Sequence, residues 1–300
     1  MSNHGSSTAP APAAGRRRRR SAGRPRTHSS VYVLGGLLGL VVLLAVAGPL
    51  LPLDDPNAQD LRGRLQAPTF WIGGTEHPLG TDQLGRDILS RLVEGARLTV
   101  LIAVLAVGLG GVVGTCAGML AGYHGGWIDK VISRMVDAQL AVPFLLIAMS
   151  IISTNGRSLT ALVIVLSIFV WARYARLVRA DVLSLTARPF IPALRSSGLP
   201  TWRIMISHVL PNISGTVLVV TTLEIGMIII SESALSFLGL GVVAPDISWG
   251  AMLADGRASM QDAWWVVAFP GLAITLVVLS VNLLGDALRV QYDPRKQANR

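Results

Sequence analysis

Long apolar runs alternate along this chain with polar segments that hold nearly all of its charge. The first run, Val31 to Leu51, has no ionisable residue over 21 positions, enough to cross a hydrocarbon core of roughly 30 Å at about 1.5 Å per residue. Similar runs follow at Leu98 to Gly122, Ala138 to Thr154, Ser158 to Ala172, Ile213 to Ile230 and Ala263 to Gly285. The pattern therefore predicts six spanning helices, at about 31–51, 98–122, 138–154, 158–175, 213–231 and 263–285. The third and fourth are short at 17 and 15 uncharged residues, and the fourth lengthens if Arg173 snorkels toward the headgroups. Glu224 interrupts the fifth.

The polar segments are themselves patterned. In "HPLGTDQLGRDILSRLVEGAR" (His77 to Arg97), Leu84, Ile88 and Leu92 recur at four-residue steps, and Asp82/Arg86 and Asp87/Arg91 are acid-before-base pairs at i, i+4. This predicts a short amphipathic helix lying at the membrane surface, with direct substrate contact as the alternative. Glycines 108, 110, 111, 114 and 118 cluster in the second span, and Gly110, Gly114 and Gly118 repeat every four residues, as close helix packing in lipid requires. A flexible pore helix is the other use of such glycines.

Past the fourth span, Arg173, Arg176 and Arg179 fall at i, i+3, i+6, so the helix is expected to run on with a basic stripe until Pro189 and Pro192. Pro192 then opens a short helix that Gly198 closes as the residue after the cap. Thr201 N-caps a second helix carrying Trp202, Ile206 and Val209 at i, i+4, i+7, and this helix ends before Pro211. Residues 176–212 thus form a compact knob that a partner's groove can hold, apolar side inward and arginines at the rim. The segment is longer than a simple connector between two helices needs.

Composition agrees with a lipid environment: 51% of residues are hydrophobic, 14% are charged and the mean hydropathy is +0.55. The net charge of +9 does not imply a nucleic-acid partner, because 24 of the 26 basic residues are arginines grouped in polar segments. With the N-terminus inside, 19 of the basic residues fall on the cytoplasmic side and 7 on the other, so both termini and the knob are expected in the cytoplasm. Residues 1–30, with "RRRRR" at Arg16 to Arg20, cannot bury enough apolar surface to fold and are expected to be a disordered tail. The block serves as a topology signal, an anionic-lipid contact or the start of a signal peptide. "AVA" at Ala45 to Ala47 resembles a cleavage site, but the apolar run continues past it and more spans follow, so the first span is retained. A single cysteine, Cys116, excludes an intrachain disulfide and a cysteine metal cluster.

Catalytic patterns are missing. Neither Lys130 nor Lys296 follows a glycine, so the chain has no G-x-x-x-x-G-K-[ST] phosphate loop, and it has no H-E-x-x-H or G-x-S-x-G. No metal or cofactor site is expected in this chain. The exceptional ionisable groups are Glu224 and Glu232, eight positions or about 80° apart on one helix, so that both could face one polar cavity. For Glu232, solvation at the outer interface is equally open. A secondary transporter driven by protons is a rival class, with Glu224 as its protonatable group.

The stretch "ALRSSGLPTWRIMISHVLPN" resembles the cytoplasmic "EAA" loop of ATP-binding-cassette importer permeases, E-A-A, three residues, G, nine residues, then I-x-L-P. Ala193 matches the first alanine, Gly198 the glycine and "HVLP" (His208 to Pro211) the ending, while Pro192 stands at the glutamate position and Leu194 at the second alanine. "HPLGTDQLGRDILSRL", "AGYHGGWID", "ARYARLVRADVLSL", "SESALSFLGLGV", "SWGAML" and "FPGLAITLVVLSVNLLGDALR" extend the similarity from His77 to Arg289, to the C-type permease of dipeptide and oligopeptide importers. The resemblance implies an all-α integral membrane protein of the type I importer fold, paired with a second permease subunit. Two nucleotide-binding chains holding ATP and magnesium, and an extracytoplasmic binding protein, would complete the complex. Ala193, Arg195, Gly198, Arg203, His208 and Pro211 would then transmit ATPase closure, and Glu224, Glu232, Ser236 and Phe237 would line the path or its outer gate. Relatives of this kind handle dipeptides, longer peptides, nickel complexes and haem.

Overall fold

The structure is a computed structural model, and it describes residues 27–69 and 76–292. The tail expected at 1–30, with Arg16 to Arg20, therefore lies outside the described residues up to position 26, as does the chain beyond 292. Helices account for the regular structure of the described residues: α1 (Thr27–Ala47), α2 (Ile88–His124), α3 (Gly126–Ala141), α4 (Phe144–Asn155), α5 (Leu159–Thr186), α6 (Phe190–Ser196), α7 (Thr201–Ile204), α8 (Leu210–Phe237), α9 (Trp249–Gly256) and α10 (Trp265–Tyr292).

Among the described residues, four helical stretches are long and apolar enough to cross a membrane, namely Ile88–His124, Leu159–Thr186, Thr201–Phe237 and Trp265–Arg289. The third apolar run is not one straight helix. It is shared between α3 and α4, which meet at a bend of 89°. Pro143 causes the break, since the residue before a proline is pushed out of the α region and Val142 is extended at φ −91°, ψ 131°.

The helix of the second apolar run begins ten residues before that run does, at Ile88. The expected surface helix over 77–97 does not exist as a separate element: residues 77–87 are irregular, and Ile88 to Arg97 are the first turns of α2. Ile88, Ser90, Arg91 and Val93 are buried there, so the segment is part of the bundle. Asp87 sets the start of α2, its carboxylate accepting from the Ser90 backbone N–H at 2.7 Å and from Ser90 Oγ at 2.8 Å. With Asp87 so engaged, its expected pairing with Arg91 does not form.

The most extensive contact in the bundle joins α2 to α5. A methyl group added at Gly110 would fall 2.6 Å from the Ser167 carbonyl oxygen, at Gly118 2.7 Å from that of Ala175, and at Gly122 2.8 Å from that of Arg179. Gly114 is similarly pressed against Trp171 and Tyr174. The four-residue glycine repeat is thus a packing seam, extended one step to Gly122, whereas Gly108 faces open space. A second core, made of Met119, Tyr123, Val182, Leu185, Ile191, Ile204 and Val209, lies where α2 and α5 meet α6 and α7.

Candidate functional site

The knob is built as follows. α5 runs unbroken through Arg173, Arg176 and Arg179 to Thr186, carrying the expected basic stripe, but the three guanidinium groups are engaged with acids rather than free. Arg173 meets Glu224 at 2.8 Å, Arg176 meets Asp137 at 2.9 Å, and Arg179 binds Asp129 through two hydrogen bonds. The first short helix starts after Pro189, at Phe190, so Pro192 sits inside its first turn rather than opening it. Ala193 is exposed and accepts through its carbonyl from the Ser197 N–H at 3.1 Å. Gly198 has φ +78° and donates to the Arg195 carbonyl at 3.1 Å, the left-handed corner expected of it.

Beyond Gly198 two expectations change. Thr201 is the first helical residue, with Pro200 at the cap and no side-chain cap bond. The helix does not stop before Pro211: Met205–Val209 form a π turn that leads directly into α8, where Pro211 occupies the first turn. The wider turn gives the proline ring room that a regular α turn denies it. The second helix of the knob is therefore continuous with a membrane-crossing helix. Its apolar stripe also splits. Ile204 and Val209 are fully buried in the bundle, while Trp202 at 64% exposure and Ile206 at 55% face outward beside the exposed Arg203. His208 is half-buried; its Nδ1 has no hydrogen-bond partner among the described residues.

Arg195 reaches sideways from the knob to the last turn of α2. Its Nε donates to Tyr123 Oη at 3.0 Å. Tyr123 lies in "AGYHGGWID" with no local signal of its own, and only the fold brings it to Arg195.

The two acids of α8 take different partners. Glu224 is buried and held by Arg173 across α8 and α5. Glu232, at 1% exposure, accepts through Oε1 from Ser236 Oγ and Ser248 Oγ, both at 2.7 Å, and fastens the start of α9 to α8. Its Oε2 has no partner among the described residues. Phe237 is exposed, with the Arg257 guanidinium carbon 5.6 Å from its ring centroid. A groove of about 470 Å³ lies between α2, α5 and α8, and its lining of Gly108, Thr115, Cys116, Tyr174, Thr221 and Ile225 with aliphatic neighbours is mostly apolar. Among the described residues no group of three metal-ligating side chains comes together.

At the end of the bundle away from the knob, a charge network ties the irregular 77–87 segment to α9. Asp82 Oδ2 accepts from Arg86 Nε at 2.7 Å and from Arg91 at 3.2 Å, and Asp255 Oδ2 accepts from Arg86 at 3.1 Å and Arg91 at 3.0 Å. The Asp82–Arg86 pair was legible as an i, i+4 spacing; Asp255 comes from 164 residues past Arg91 and has no local signal.

A helical bundle crossing the membrane several times, grooved on one flank and bearing a two-helix knob at one end, defines a membrane permease subunit. Residues 114–298 match the family model described as the binding-protein-dependent transport system inner membrane component, and the chain belongs to that family. It is 41% identical over 267 residues to the dipeptide transport system permease protein DppC of Alkalihalophilus pseudofirmus, covering 87% of this chain and 86% of that protein. It is 40% identical over 270 residues to the glutathione transport system permease protein GsiD of Pectobacterium atrosepticum, covering 90% and 88%. Among solved structures, a chain of the inward-facing MetNI methionine ABC transporter superposes with a TM-score of 0.55 at 17% identity, over 68% of this chain and 97% of that one. The type I importer fold is thereby established for this chain.

Proposed function

We propose that this chain is one of two permease subunits of an ATP-driven importer for dipeptides or oligopeptides. The substrate class rests on similarity over nearly the whole chain to permeases named for dipeptide and glutathione transport. Both termini and the knob face the cytoplasm in this reading, supported by the excess of arginine on that side. ATP and magnesium bind the two partner ATPase chains, and this chain hydrolyses nothing. The observation that carries the division of labour is the knob: its inner face is buried in the bundle, while Trp202 and Ile206 present apolar surface outward with Arg203 beside them. A partner groove can grip such a surface, and ATPase closure shifts the permease if the grip differs between its two states.

Within this reading Ala193, Arg195, Gly198, Arg203, His208 and Pro211 carry motion from the ATPase into α8. The groove between α2, α5 and α8 becomes the substrate path when the second permease closes it. Glu224 with Arg173 is the polar point beside that path, and Glu232, Ser236 and the exposed Phe237, at the end of α8 away from the knob, belong to the outer gate.

Purified alone, the chain is expected to show no ATP hydrolysis. In proteoliposomes with its partners and binding protein, peptide uptake should require ATP; uptake driven by a proton gradient without nucleotide would replace this reading with a secondary transporter. Gly198→Val is expected to leave membrane insertion normal while reducing peptide-stimulated ATPase activity about tenfold, because a β-branched residue cannot hold φ +78° without strain. Insertion is read by membrane fractionation and the stimulation by phosphate release.

A further inference from the structure

Resting on the reading of the knob as the ATPase-docking element, we propose that Tyr123 is a positioning residue: through its contact with Arg195, the knob moves α2 and α5 as one body.

The contact is directional. Arg195 Nε donates to Tyr123 Oη at 3.0 Å, its terminal Nη2 donates to the Tyr123 carbonyl at 3.3 Å, and the guanidinium carbon lies 4.2 Å from the ring centroid. The Tyr123 carbonyl is among the last of α2, which have no partner within the helix, and a cation is favoured at that end. The tyrosine ring is buried in the apolar cluster with Val182, Ile191 and Ile204. Apolar packing alone resists compression but slides and separates cheaply. Two hydrogen bonds and a cation over the ring resist pulling and sliding as well.

What lies on either side of Tyr123 fits a lever. On one side the Gly110, Gly114, Gly118 and Gly122 seam locks α2 to α5, so a displacement of the α2 end is shared by both helices. At the far end of α2, Arg91 grips Asp255 of α9 at 3.0 Å. On the other side, Gly125 and Gly126 follow with φ +63° and +60°, so α2 ends just past Tyr123, while α3 is held to α5 by Asp129–Arg179 and Asp137–Arg176 and moves with the same body. Coupling through a single contact of this kind acts on a two-state element whose equilibrium both ends bias.

The test uses the whole transporter in proteoliposomes, with the second permease, both ATPase chains and the binding protein, and radiolabelled dialanine as substrate, or glutathione if the binding protein selects it. Tyr123→Phe keeps the ring in the apolar cluster and removes only the hydroxyl. It is expected to assemble and hydrolyse ATP at the wild-type basal rate, while uptake per ATP falls about fivefold. Arg195→Ala is expected to lower the same ratio further, and the double variant to fall no lower than Arg195→Ala alone, since both changes break one link. An unchanged ratio in Tyr123→Phe, or a double variant whose loss is the product of the two single losses, would overturn the proposal. Failure of the docking reading has a separate signature: Trp202→Glu with Ile206→Glu would leave ATPase copurification intact.

Discussion

Gly114→Val is expected to destabilise the permease by about 3 kcal/mol or more, the upper range for forcing atoms into a packed interior. The added methyls would press on the Trp171 backbone and the Tyr174 side chain of α5, and backbone cannot rotate away as a side-chain tip can. The α2 and α5 axes would have to separate along the whole seam, because Gly110, Gly118 and Gly122 sit in the same register. Lipid offers no hydrophobic driving force to restore the contact once the close approach is lost. Gly108→Val supplies the contrast: it adds the same atoms to the same helix where nothing lies within 4 Å, and should be close to neutral. Thermal unfolding of the two variants in detergent, followed by size-exclusion chromatography after heating, separates them. Equal melting temperatures would remove the seam from the account of this fold.

The second large effect is expected at the Arg173–Glu224 pair. Arg173→Leu leaves the Glu224 carboxylate, with 9% of its side chain exposed, without its 2.8 Å partner. Stranding one member of a fully buried pair costs about 3–5 kcal/mol, and the cost here falls toward the lower end because the Arg173 side chain is 36% exposed, whereas replacing both by apolar residues of similar volume is often neutral. Arg173→Leu with Glu224→Leu should therefore recover most of the stability that Arg173→Leu loses. Transport should stay impaired in the double variant if the pair is the polar point beside the substrate path, so the stability and uptake assays answer different questions. A double variant as unstable as the single one would show that Arg173 supports the bundle through contacts other than Glu224.

The partner of Arg173 shows where reading of the linear chain runs out. Both residues stand out in the sequence as charges in apolar surroundings, and intramembrane charge implies a partner. Glu232 was the obvious companion for Glu224, eight positions along one helix, yet the two carboxylates take separate roles: one is an ion-pair member across to α5, the other the anchor that receives Ser236 and Ser248. Helical phase gave their relative angle, but no local pattern says which neighbouring helix lies on each side. The same holds for Tyr123, whose importance comes from Arg195 approaching it across 72 positions of sequence.

Local chemistry was decisive elsewhere. The apolar runs located the helices because a backbone in hydrocarbon must satisfy its own polar groups, and only continuous helices do so at that length. Gly198 was legible because a left-handed corner selects glycine, and the glycine repeat because its period matches one helical face. Prolines were legible as boundaries but not in their outcome. Pro143 breaks a helix into two at 89°, while Pro211 is absorbed into a continuous one by a π turn. Which of these happens depends on whether neighbouring helices hold the chain on course through the irregular turn.

By itself the sequence determined that this protein is a multi-spanning helical membrane chain with a knob between its fourth and fifth apolar runs, because burial in lipid, helix periodicity and glycine or proline stereochemistry act over a few residues. Only the tertiary structure decided which helices pair along the glycine seam, which acid answers each arginine of α5, and that the knob is joined both to α8 and to the end of α2. Those choices follow from close packing and charge neutralisation between segments far apart in the chain, which no short pattern of residues records.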